Sequence, residues 1–355
     1  MHTFEDVPQR KSARRLPAPF VVPVLLVLLA GSAIASVGFG AEPLAWSVVI
    51  DALANRLTGV TGDATFDIIV WEIRVPRTLL AIVVGAGLAV AGVGIQTLVR
   101  NPLADPYLLG VSAGASVGAT AVITFGVLAA AGLWALSIGA LLGALIAALL
   151  VFGVAMAQGG LTPLRLVLIG TVLSAAFSAI ASFLVFRSDN PQAAQSVLFW
   201  LLGSLSGAAW NQLPLVAGAV VVIGGVLVAG SGWLDALATS PDTAAALGVP
   251  VKALRGGLFV VLAALVGVLV AVAGSIGFVG LVLPHISRML VGVRHRAVLP
   301  VAALSGAVFL IWVDIAARIA VRPTEIPLSV VTGLIGAPVF LVLMGRRHYR
   351  FGADQ

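Results

Sequence analysis

Charge is scarce in this sequence, so the few ionisable residues inside apolar runs are the first candidates for chemistry. Asp314 is the acid set most clearly within such a run, where a carboxylate is costly unless it is paired or used. Arg318 follows one helical turn later, so a local ion pair is one reading. A proton-coupling acid that drives secondary transport is the other. Covalent and nucleotide chemistry find little support. The two lysines, Lys11 and Lys252, follow no glycine-rich phosphate loop. His2, His285, His295 and His348 are too scattered for a metal site, and the sequence has no cysteine, which removes disulfides and thiolate ligands. No catalytic residue, metal or cofactor is therefore expected on this chain, and energy has to arrive from an ion gradient or a partner. Ser174, Ser178 and Ser182 recur four apart, so they share a helix face and either line a pathway or bond their own helix and its neighbours.

The scaffold that positions these residues follows from composition. Of 355 residues, 60% are hydrophobic and 10% are charged, with a mean hydropathy of +1.14, against roughly 25% charged in an ordinary globular chain. That is an integral membrane protein. Unbroken apolar runs at 20–39 and 133–157 favour helices over the alternating strands of a barrel. A hydrocarbon core about 30 Å thick takes roughly 20 residues per helix. The runs divide into ten spans near 18–38, 76–98, 110–130, 134–157, 165–186, 213–230, 256–274, 277–292, 299–317 and 328–345. The expected fold is thus an all-α membrane bundle over 18–345, with short tails at 1–17 and 346–355.

The net charge of +6 does not point to nucleic acid, because the charges sit in short loops between apolar runs. With the amino terminus inside, fourteen of the twenty Lys and Arg residues fall on the inner side, and Arg56, Arg74, Arg77, Arg187, Arg318 and Arg322 fall outside. This bias places both termini in the cytoplasm. Residues 40–72, around Trp46 and Leu53, predict an outer helix lying on the membrane surface, and 187–212 carries Trp200 and Trp210 for the interface. The longest inner loop is about 231–255. Small residues four apart, at Gly110/Gly114/Gly118 and Gly139/Gly143, predict close helix packing.

At RNPLADPYLLGVSAGAS (100–116) the sequence resembles the FecCD family of permeases. Further similarities follow in order at IRVPRTLL (73–80), LTPLRLVLIG (161–170), FWLLGSLSGAAW (199–210), DTAAALGVPVKALR (242–255), AGSIGFVGLVLPHISRMLVG (273–292) and EIPLSVVTGLIGAPVF (325–340). The resemblance implies a type II ABC importer permease in the cytoplasmic membrane of a bacterium. Its cargo would be a metal chelate, with iron-siderophore the leading expectation and heme and cobalamin open. Implied partners are a second permease subunit, two ATP-binding subunits that hold ATP and Mg, and an extracytoplasmic binding protein.

It also implies residue roles. Arg74, Arg77 and Arg318 would dock the binding protein, since a guanidinium fork can grip a carboxylate. Headgroup anchoring, or pairing with Glu72 and Glu325, is the competing reading. Asp242, Thr243, Ala246, Leu247, Gly248 and Arg255 belong to the segment that would couple to the ATPase, a short helix seated in a groove, with Gly248 as its stop signal. Asn101, Leu103, Thr162 and Pro163 would form the cytoplasmic gates. Pro163 departs from relatives that carry a hydroxyl there, and also suits the first position of a helix. Ser174, Ser178 and Ser182 would line the pathway.

Overall fold

The computed structural model describes residues 16–40, 43–58, 64–189 and 191–345, so most of the two tails lies outside the described residues. The described chain is helical apart from an isolated bridge between Val321 and Thr324. In order the helices are α1 (Ala18–Gly38), α2 (Trp46–Thr58), α3 (Ala64–Ile68), α4 (Val75–Leu98), α5 (Val111–Phe125), α6 (Ala135–Ala157), α7 (Pro163–Phe186), α8 (Pro191–Leu201), α9 (Leu213–Ala229), α10 (Ser231–Thr239), α11 (Pro241–Ala246), α12 (Val251–Ala273), α13 (Val279–Val291), α14 (His295–Ile319) and α15 (Leu328–Gly345). A π-helical turn, Ile69–Arg74, leads into α4.

Each expected span contains a helix. Six stretches are long and apolar enough to cross a bilayer: α1, the run from Thr65 through α4, the run from Ala129 through α6, α7, α12 and α14. Helices α9 and α10 form a further candidate bent by 64° at Gly230, and α5, α13 and α15 are shorter apolar helices. The connection predicted at about 231–255 is shorter than expected and holds α10 and α11. Val251 already begins α12, so Lys252 and Arg255 sit on a helix and not in a loop. Pro250 immediately before α12 explains the early start, since proline cannot extend the preceding turn and its fixed φ suits a helix entry.

Helix α4 is the centre of the bundle, with both its faces buried among α12, α13 and α14. Lipid tails supply no hydrophobic drive between helices, so close backbone approach has to supply contact. The glycines do this. A Cβ on Gly85 would meet the Gly306 carbonyl oxygen at 2.3 Å, which brings α4 and α14 together backbone to backbone. A Cβ on Gly118 would stand 1.9 Å from the Gly139 carbonyl oxygen, and one on Gly114 would stand 2.4 Å from that of Gly143. The four-residue spacing thus forms the α5–α6 seam, as expected. By contrast, large apolar side chains on α1, α7 and α9 face outward, including Val27, Leu164, Val172, Phe186 and Val221.

The surface helix expected within 40–72 is α2. Its Val49 and Ala52 pack with Val37 and Val70 while Trp46 and Ile50 are exposed. Trp71 donates its indole N–H to the Ala52 carbonyl (3.0 Å) and stacks on Trp210, whose own N–H reaches the Trp71 carbonyl (2.7 Å). The two tryptophan-bearing segments therefore meet at one end of the bundle.

Candidate functional site

At that same end, α1, α4 and α14 share a buried ionic network. Arg77 donates to Asp314 Oδ1 through Nε (3.0 Å) and Nη2 (2.9 Å), and grips Glu325 through Nη1 (2.7 Å) and Nη2 (2.9 Å). Asp314 also pairs with Arg318 Nη2 (2.9 Å). Arg318 donates to the Phe39 carbonyl (2.7 Å) and Ser36 Oγ (2.9 Å), and Arg74 donates to the carbonyls of Val37 and Gly38, both at 2.9 Å. The last carbonyls of a helix have no partner within it. Arg74 and Arg318 satisfy those of α1, and Asp314 neutralises Arg318 together with Arg77.

Arg74, Arg77 and Arg318 are only 5%, 6% and 3% exposed. They lie beneath the surface, committed to partners within the chain. The physical reason is that both carboxylates lie within reach, Asp314 one turn from Arg318 and Glu325 just beyond α14. The pairing of Arg77 with Glu325, the competing reading, is what the structure contains. Arg56 and Arg322 are exposed.

The opposite end carries the expected coupling segment. Ser240 caps α11, its Oγ accepting from the Thr243 N–H (2.9 Å), and Gly248 at φ +78° closes the helix in the left-handed region. Asp242, Thr243, Ala246, Leu247 and Gly248 form an exposed rim, with Leu247 69% exposed, over buried Ala244 and Val249. Arg255 stands apart from the rim, half-buried on α12, with its Nε unpartnered. A hydrogen-bond chain ties α10 to the bundle. Asp235 Oδ1 accepts from the backbone N–H of His295 (2.9 Å) and meets its Nδ1 (2.6 Å), and His295 Nε2 meets Thr97 Oγ1 on α4 (2.7 Å). The sequence reading passed over this chain because a lone histidine at a helix start carries no signal of its distant partners.

The gate candidates lie at this end too. Asn101 Oδ1 accepts from the Leu103 N–H (2.9 Å), forming a compact turn after α4. Thr162 precedes α7 without a side-chain capping bond, and Pro163 takes the first position of the helix, the structural role anticipated for it.

Between the ends, Ser174 and Ser178 line a cavity of about 400 Å³ together with Asp105, Tyr107, Ser112 and Ser116. Ser178 and Ser182 line a second, of about 310 Å³, with Ser116. Ser182 also bonds the Ser178 carbonyl of its own helix (2.9 Å). The Tyr107 hydroxyl accepts from the Ile276 N–H (2.7 Å), and burial pushes the Asp105 carboxyl up to about 6 against the N–H it accepts from Tyr107. Ser112 and Ser116 were missed, though they too stand four apart, and the Ser112 hydroxyl bonds that of Ser275. Among the described residues no cluster of His, Asp or Glu could hold a metal ion.

Comparison with known proteins matches residues 26–346 to the FecCD transport family. The chain is 38% identical over 320 residues to the molybdate import system permease protein MolB of Haemophilus influenzae, covering 90% of this chain and 94% of that protein. It is 40% identical over 308 residues to the cobalamin import system permease protein BtuC of Halobacterium salinarum, covering 86% and 81%. It is 34% identical over 297 residues to the iron-uptake system permease protein FeuC of Bacillus subtilis, covering 82% and 88%. A solved inward-facing metal-chelate type ABC transporter superposes with a TM-score of 0.81 at 36% identity, over 93% of this chain and 100% of that one.

Proposed function

Because the chain belongs to the FecCD transport family, as a permease subunit of an ABC importer, we propose that it carries a metal chelate, of the iron-siderophore type, across the cytoplasmic membrane of a bacterium. Two permease subunits enclose the pathway, and two ATP-binding subunits that hold ATP and Mg seat the coupling rim. The binding protein delivers cargo to the opposite end. The observation that carries this reading is the rim itself: α11 with the turn that follows it to Gly248 is capped and exposed, and its underside is anchored to the bundle, as a docking element requires. Binding protein and ATPase then shift the access equilibrium by their different affinities for its two states.

On the delivery face, Arg74, Arg77 and Arg318 act from beneath. Arg74 and Arg318 hold the end of α1 in place, and a partner carboxylate reaches Arg77 by displacing Glu325, the more exposed of its two acids. Arg56 and Arg322 are exposed. Iron-siderophore cargo is supported by the likeness to FeuC and to a metal-chelate transporter, and a cobalamin-type cargo is the second reading, favoured by the likeness to BtuC. Proton drive through Asp314 has little support, because protonation there would release two buried guanidiniums.

The test is uptake into vesicles that hold the permease with its ATPase and binding protein. Uptake of a ferric siderophore that needs ATP and survives an uncoupler is expected. Uptake that persists without the ATPase and collapses with the uncoupler would refute the reading, and cobalamin transported in place of the siderophore would reassign the cargo.

A further inference from the structure

A cavity of about 540 Å³ opens at the coupling end, bounded by the last turn of α4, by α10, by the end of α13 and by the start of α14. Arg100, Arg288 and Arg294 line it. Inner-side arginines ordinarily fan into water, but two of these are fixed on the wall. Arg100 donates through Nη2 to the Thr239 carbonyl (3.1 Å), and Arg288 through Nη1 to Gln96 Oε1 (2.6 Å). Gln96 is itself held, its amide donating to the Ala104 carbonyl (3.2 Å).

Among the described residues the cavity has a single lining acid, Asp235, and that carboxylate is engaged by the backbone N–H and ring of His295. The wall therefore brings the guanidiniums of Arg100 and Arg294 beside a carboxylate that already has a partner, with Arg288 held on Gln96. Like charges gathered in a half-enclosed space repel more strongly than in open water, and an anion in the cavity relieves that repulsion. Guanidiniums fixed before the ligand arrives are also the groups that bind phosphate oxygens with most geometric specificity.

We propose that this cavity is a binding site for a phosphate-bearing anion, supplied by an anionic lipid headgroup or by free phosphate. Its volume exceeds that of a phosphate group and leaves room for the glycerol of a headgroup. Basic cavities between helices on the cytoplasmic side suit such ligands. An anion held there bridges α4, α13 and α14 beside α10, and so braces the coupling segment against the bundle. The proposal needs neither the ATPase nor the cargo, so it stands or falls separately from the transport reading.

The experiment is thermal unfolding of the purified full chain in discs of phosphatidylcholine, with phosphatidylglycerol added to the lipid or inorganic phosphate added to the buffer. Binding stabilises the folded state, and a rise of several degrees is expected with at least one of the two anions. A rise with phosphatidylglycerol alone identifies the lipid as the source, whereas a rise with phosphate in plain phosphatidylcholine identifies the free anion. Arg294→Gln should remove most of the rise, while Arg296→Gln, which changes an exposed neighbour outside the cavity, should keep it. No rise with either anion, or equal loss in the two variants, overturns the site.

Discussion

Replacing Asp314 by alanine removes a carboxylate that two buried guanidiniums share. Arg77 loses its contacts at 3.0 and 2.9 Å, and Arg318 loses its contact at 2.9 Å. Asp314 is fully buried, so water does not substitute readily for it. Breaking a buried pair by deleting one partner costs about 3–5 kcal/mol, or roughly a 150- to 5,000-fold loss in the folding equilibrium. Arg77 retains Glu325 and Arg318 retains the α1 carbonyls, which places the expected loss near the lower end of that range. Glu325 is 24% exposed on its side chain, and Glu325→Ala should cost at most about 1 kcal/mol, as partly solvated pairs do. Reversible unfolding in mixed micelles, followed by tryptophan fluorescence, measures both variants on one scale. An Asp314→Ala loss below about 1 kcal/mol, or a Glu325 loss of equal size, would refute the view that the buried carboxylate holds this end together.

Leu247→Glu changes an exposed side chain on the coupling rim and should leave stability within about 0.5 kcal/mol of the parent, while ATPase stimulation by the permease falls sharply. Unchanged stimulation would remove Leu247 from the interface. Gly118→Val forces a side chain into the Gly139 carbonyl and should abolish the folded protein or cost it several kcal/mol, seen as lost monodisperse material after extraction. Asp105 titrates with a folded value of about 6 against an ordinary value of 3.8. Because the folded state holds the proton more tightly, stability should be highest below the ordinary value and decline as pH rises to about 6, and Asp105→Asn should flatten that slope. A parent profile already flat over this window would contradict the assignment.

Several features were legible because they depend on local pattern. Apolar runs located the helices, glycines four apart marked the α5–α6 seam, and Gly248 after an Ala/Leu run marked the end of α11. The serines of α7 were readable for the same reason, since a face is a matter of spacing. The fate of Arg74 and Arg77 was not. A sequence gives the side of the membrane on which a guanidinium falls, but the burial of Arg77 depends on Asp314 and Glu325, more than two hundred residues away, and that of Arg74 on the end of α1. The same holds for His295, whose partners Asp235 and Thr97 lie on two other helices. Arg255 was assigned to a loop because the charge of 252–255 interrupts the apolar run, although the helix continues through it.

The fastening of α4 to α14 has a further consequence. These two helices are joined by Arg77 with Asp314 at one extremity, by Gly85 against Gly306 along their length, and by Thr97 with His295 at the other. Two rods riveted at three points cannot slide past one another, so a tilt imposed on either extremity is delivered whole to the far one. A relative motion of the two ends then has to come from joints elsewhere, and the 64° elbow at Gly230 is one such joint.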